Sequence, residues 1–135
     1  MFRTGIIDKL RAHGVTPTSQ RIEIAEVVFR QPQHLSADQI IDQLKESGSR
    51  VSKATVYNSL NLFSEKRLVR EITIDPTRKF YDSTTHPHHH FYHVESGELV
   101  DIADDRVNIT NLPPLPLGTE QESVEVLIKV RNKQR

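Results

Sequence analysis

Apolar residues recur at helical spacing through the first 66 positions and at strand spacing beyond them, so the chain changes character part-way along. Ile6, Ile7 and Leu10 predict a short amphipathic helix over Thr4 to His13, ended by Gly14. Pro17 interrupts the chain, and Thr18 caps a second helix to about Gln31, with Ile22, Ala25, Val28 and Phe29 on one face. Pro32 follows its end, and His34 sits in the linker beyond. Ser36 with Gln39 three positions on is a capping box. Behind it Ala37, Ile40, Ile41 and Leu44 form a stripe that Gly48 stops. Ser52 caps a fourth helix to about Lys66. It turns Val56, Leu60 and Phe63 inward and leaves Lys53, Thr55, Tyr57 and Asn58 at its outward leading end.

The period then shortens. Leu68 to Ile74 and Arg78 to Ser83 are strand-like runs joined by Asp75-Pro76-Thr77, a turn sequence, which places a β-hairpin wing directly behind a helix-turn-helix. Lys, Thr, Tyr and Asn at the start of the fourth helix offer donors and an aromatic edge to major-groove bases; the alternative is a winged helix that binds protein. Further on, His88 to Val94 and Glu98 to Ile102 flank the Ser96-Gly97 turn as a second hairpin, with Asp101 able to face back towards the histidines. Asp104 to Thr110 is ambiguous, with a turn of helix as one reading, and Leu112-Pro113-Pro114-Leu115-Pro116 must be an extended connector. Ser123 to Arg131 sets Val124, Val126, Ile128 and Val130 against Glu125, Lys129 and Arg131, a third strand.

The expected fold is therefore α+β. A winged helix-turn-helix over residues 1–83 precedes a small α/β dimerisation domain over 84–135 with a three-stranded antiparallel sheet. A sheet of that size cannot bury enough apolar surface alone, and its Val/Ile stripe needs a cover. A second copy would supply it, giving a homodimer that presents two recognition helices to palindromic double-stranded DNA; packing against the chain's own first domain would instead leave a monomer.

The stretch from His86 to His93 holds five of the seven histidines in eight residues. Clustered imidazoles repel whenever they protonate, so such a run usually has a metal or haem to bind; the plain alternative is a solvated histidine-rich loop. Strand alternation beyond Pro87 places His88 and His90 on one face and His89, Phe91 and His93 on the other. The chain has no cysteine, which excludes disulfides, thiolate zinc sites and thiol-based redox sensing, so any metal ligands are His, Asp, Glu and water.

Net charge is zero but unevenly placed: residues 1–83 carry 13 basic and 10 acidic groups, and residues 84–135 carry 5 and 8. Arg50, Lys53, Lys66, Arg67 and Arg70 surround the single acid Glu65, a patch suited to phosphates. No apolar run approaches a membrane span of roughly 18 residues and the start of the chain is unlike a signal peptide, so the expected setting is cytoplasmic.

Thr18-Ser19-Gln20-Arg21, His34-Leu35-Ser36-Ala37, Ala54-Thr55-Val56-Tyr57, Phe80-Tyr81-Asp82, the histidine run and Leu99-Val100-Asp101-Ile102 follow one another in an order that resembles the ferric uptake regulator (Fur) superfamily. The resemblance implies a regulatory site of His34, Asp82, His88, His90 and Asp101 for Fe(II), Mn(II) or Zn(II), with DNA contacts from Arg21, Lys53, Thr55, Tyr57 and Asn58. His93 and Ser96 stand where relatives carry the first of two C-x-x-C pairs, so the structural zinc held by four cysteines is absent. Pro87 and Asn108 replace two ligands of a further site, and Thr16 replaces a basic residue directed to the minor groove. The run His88-His89-His90-Phe91-Tyr92, the missing cysteines, the proline-rich connector and the close Glu125 to Arg131 are similar to the iron response regulator (Irr) branch. That likeness implies control of iron and haem genes and haem bound through His88, His89 or His90, with His86 and His93 as second choices. The reading is a non-enzymatic regulator whose DNA affinity answers to metal or haem. Its alternatives are a peroxide sensor and, remotely, a non-haem iron enzyme.

Overall fold

The computed structural model describes residues 2–86 and 88–134 and separates into two compact units, Met1–Thr85 and His86–Arg135. Pro87, and with it the expectation about the further metal site at that position, lies outside the described residues.

Unit 1 holds four helices, α1 (Phe2–Ala12), α2 (Ser19–Val28), α3 (Ala37–Glu46) and α4 (Lys53–Glu65), and three strands, β1 (His34–Ser36), β2 (Arg70–Asp75) and β3 (Arg78–Asp82). Side chains cap three of the helix starts. Thr18 accepts from the Arg21 N–H and Ser52 from the Thr55 N–H, and Ser36 and Gln39 form a reciprocal capping box. The ends are equally local. Val15 N–H donates to the Leu10 carbonyl, Ser49 to Leu44 and Leu68 to Phe63, six-to-one bonds that close α1, α3 and α4 over a residue with positive φ: Gly14, Gly48 and Arg67. The apolar faces meet in one core, in which Leu10, Ile24, Ile40, Leu60 and Phe63 are fully buried.

The sheet of unit 1 runs β1-β3-β2 and is antiparallel throughout. β1 is an addition to the elements expected from the sequence. His34 lies in a strand rather than a linker, because Leu35 turns inward between two half-buried neighbours and pairs with Tyr81. Asp75 Oδ1 accepts from both the backbone N–H and the hydroxyl of Thr77, which closes the wing turn and lowers the Asp75 pKa. Burial raises the pKa of the Tyr81 phenol, with Glu71 and Tyr57 adding to the shift.

Unit 2 contains β4 (His89–His93), β5 (Leu99–Ile102), a single 3-10 turn at Asp104–Arg106 and β6 (Leu127–Val130), in the sheet order β5-β4-β6. β4 and β5 form the expected antiparallel hairpin. The third strand corrects the expectation: it lies parallel to β4, so this sheet is mixed, and it is shorter than Ser123 to Arg131. The reason is topological. β5 carries the chain back to the end of the sheet where β4 began, and β6 starts from that same end on the other side of β4. Among the described residues no helix is long and apolar enough to cross a membrane.

Phe63 fills the middle of the unit 1 core, so Phe63→Ala is expected to cost about 3–5 kcal/mol in urea unfolding. Removing the capping box by Ser36→Ala should cost only about 1 kcal/mol by the same measurement.

Candidate metal centre and nucleic-acid interface

In unit 2, His90 sits in β4 opposite Asp101 of β5, and His88 immediately precedes the strand two residues earlier, so all three side chains share one face. The Nε2 atoms of His88 and His90 both lie 3.1 Å from the same oxygen, Asp101 Oδ1, and the two rings stand 4.5 Å apart. Both imidazoles are buried, whereas the Asp101 side chain is 58% exposed, which leaves a route from solvent to the shared oxygen.

The protonation chemistry of this cluster points to a cation. His88 Nδ1 lies 3.1 Å from the His86 carbonyl, an acceptor only, so a hydrogen bond there places the His88 proton on Nδ1. Neutral His88 then directs an Nε2 lone pair at a carboxylate oxygen, and that contact is favourable only with a proton or a metal ion between them. Two imidazole nitrogens and a carboxylate oxygen, whose ligand atoms lie within 4.8 Å of one another, suit a first-row divalent metal. A carbonyl partner on the far nitrogen of a metal-ligating histidine is also the usual way its tautomer is fixed.

His89 projects from the opposite face. Its Nδ1 accepts from the Val126 N–H at 2.8 Å, tying β4 to the residues leading into β6 and placing its own proton on Nε2. The histidine triplet is thus divided two to one by the pleat of the strand.

Unit 1 contributes a separate pair. β-sheet register sets His34 directly across from Asp82, so their side chains leave the same face of the sheet. Asp82 is buried with Oδ1 accepting from the Thr84 N–H, and the His34 ring meets the Phe80 ring edge-on. The three-residue alternation His34-Leu35-Ser36 is the sequence signal for this strand. It is too short to stand out from a linker.

On α4, Lys53, Tyr57 and Asn58 are exposed, and Asn61, which no sequence motif singles out, joins them at i+8 from Lys53. Thr55 is half-buried and its hydroxyl accepts from Ser52 at the helix cap. Arg21 is engaged within the protein: Nη1 donates to the Thr16 carbonyl, which holds the turn before α2.

The family model described as the ferric uptake regulator family matches residues 12–114. The chain belongs to the ferric uptake regulator family. Among curated Fur-family proteins, the peroxide-responsive repressor PerR of Staphylococcus aureus (strain USA300) is 32% identical over 102 residues, covering 76% of this chain and 69% of PerR. Among solved structures, the ferric uptake regulator of Pseudomonas aeruginosa with manganese superposes with a TM-score of 0.71 at 25% identity, covering 94% of this chain and 97% of that one. The Vibrio cholerae ferric uptake regulator gives 0.72 at 25% identity over 93% and 98%.

His90→Ala removes one of the two converging imidazoles. Titration with Co(II), followed by its ligand-field absorption, should show a loss of affinity greater than the roughly 10- to 100-fold typical of outer-shell changes. His89→Ala, on the other face, should change it by less than about threefold.

Proposed function

We propose that this chain is a metal-responsive transcriptional regulator that binds double-stranded DNA as a homodimer through its N-terminal unit. The convergence of His88 Nε2 and His90 Nε2 on Asp101 Oδ1, in a member of the Fur family, carries this reading. His88, His90 and Asp101 hold Fe(II), Mn(II) or Zn(II), and His34 and Asp82 complete the ligand set. His34 and Asp82 belong to unit 1, and in this reading their taking part in the ligand set is what makes DNA binding answer to the metal. When bound, the metal supplies a charge that only this arrangement of donors satisfies; the chain supplies everything else. Tyr57, Asn58 and Lys53 meet bases and phosphates from α4, Thr55 preserves the helix start, and Arg21 acts through the Thr16 turn.

Iron and haem genes are the proposed targets, on the likeness to the Irr branch in the histidine run, the missing cysteines and the connector. In that reading haem iron takes an imidazole from His88, His89 or His90. His89 can bind iron through Nε2 only by moving its proton to Nδ1, which gives up the hydrogen bond from Val126. Haem ligation by His89 would therefore act on the approach to β6 through one ring. The identity with a peroxide-responsive repressor favours a second reading, in which bound Fe(II) reacts with peroxide and a coordinating histidine is oxidised. A mass increase of about 16 Da on His34 or His88 after peroxide marks that route, outside the Cys and Met ladder.

The test uses a duplex selected from a random pool by Mn(II)-loaded protein, with affinity measured at one fixed salt concentration. Chelation should abolish specific binding; affinity that survives chelation overturns metal control. Tyr57→Ala should weaken binding by about 1–3 kcal/mol, roughly five- to hundredfold, with Co(II) affinity intact.

A further inference from the structure

Residues 103–126 connect β5 to β6, and their length is out of proportion to the gap they span. Ile102 pairs with His89 and Leu127 with His90, so the connection begins and ends at the same end of the sheet, two strands apart, or about 9.6 Å. A handful of residues would close that distance. The chain instead makes an excursion of 24 residues, 103 through 126. It turns back at Pro116-Leu117-Gly118-Thr119, where the Thr119 N–H donates to the Pro116 carbonyl and Gly118 has a φ of 78°.

The outgoing arm has a defined form. Pro113, Pro114 and Pro116 fix their own φ and push the residue before each of them into extended backbone, which favours a polyproline II path with three residues per turn over 112–116. Ile109, Leu112 and Leu115 are spaced three apart and fall on one side of such a helix. They are 39%, 52% and 51% exposed.

The sheet carries a matching surface. Val100, Phe91 and Ile128 are register partners across β5, β4 and β6, one apolar row on the face opposite His90, and they are 36%, 37% and 39% exposed. Adjacent arm residues at three-residue spacing stand about 9.3 Å apart, and Val100 and Ile128 stand two strand spacings apart, about 9.6 Å. An arm lying across the strands therefore sets two of its side chains over Val100 and Ile128, one on either side of Phe91. The single chain leaves both surfaces part-exposed, although they are parts of one unit. Three side chains are also too few for a stable interface of about 800 Å² per partner, and the arm adds the apolar surface that the row lacks.

We infer that in the dimer the arm 109–115 of each copy lies across the Val100-Phe91-Ile128 row of the other. The inference rests on the homodimer reading above, and the experiment separates the two. Two differently tagged copies of the full chain are co-expressed, one carrying Leu115→Cys and the other either Val100→Cys or Ile128→Cys; with no native cysteine, a short bis-maleimide can join only these positions. The expected result is a covalent species carrying both tags in at least one pairing. In parallel, the Leu112→Ser/Leu115→Ser double variant should self-associate at least about tenfold more weakly by sedimentation equilibrium, with Co(II) affinity unchanged. If the wild-type chain is dimeric but neither pairing links the tags, or the double variant dimerises normally, the arm is not the seal and the dimer reading stands without it. A bis-maleimide link formed only within one chain carrying both cysteines overturns the exchange in favour of self-packing. A wild-type chain that stays monomeric at high concentration removes both readings.

Discussion

Two buried imidazole nitrogens face one carboxylate oxygen in the C-terminal unit, and with the His88 proton held on Nδ1 its Nε2 lone pair cannot face that oxygen without a proton or a metal ion between them. This constraint organises the unit. β4 and β5 must be in register for His90 to meet Asp101, the residue before the strand must bring His88 to the same face, and the His86 carbonyl must keep the His88 proton away from the cluster. A one-residue slip of β4 against β5 would send the imidazoles to the other side of the sheet. The cluster therefore reports on the sheet as much as the sheet supports the cluster.

The pleat gives the two faces of that sheet different chemistry. His90 and Tyr92 turn to the buried side, while His89 and Phe91 turn to the other, where His89 is held by Val126 and Phe91 is flanked by Val100 and Ile128. The His88-His90-Asp101 cluster on one face and the exposed Val100-Phe91-Ile128 row on the other are thus joined by the five residues of β4. Strand placement on one side cannot change without consequence for the other. In the proposed dimer, that is a physical basis for coupling between metal occupancy and assembly.

The N-terminal unit is built on a different principle. Its helices start and stop on their own local hydrogen bonds, its core is a single apolar cluster, and Lys53, Tyr57, Asn58 and Asn61 lie along the exposed face of α4. Its wing is short and its turn is held by Asp75, whose ion pair with Arg78 is exposed and worth little. Within this unit, three residues of strand bring His34 and Asp82 opposite each other.

Features that depend on neighbours along the chain were legible in the residues alone. Ser36 and Gln39 announced a helix start, Gly14 and Gly48 two helix ends, the i, i+3, i+4 stripes the core, and the strand alternation the division of His88 and His90 from His89. The order of motifs identified the family because each motif is a local solution to a local need. Which strands meet was settled only in three dimensions. That His34 stands opposite Asp82, that β6 runs parallel to β4, and that Val126 reaches His89 are pairings over tens of residues, and pairing energy belongs to the register of two strands rather than to either sequence. The tautomer of His88 likewise followed from a carbonyl whose position no composition encodes.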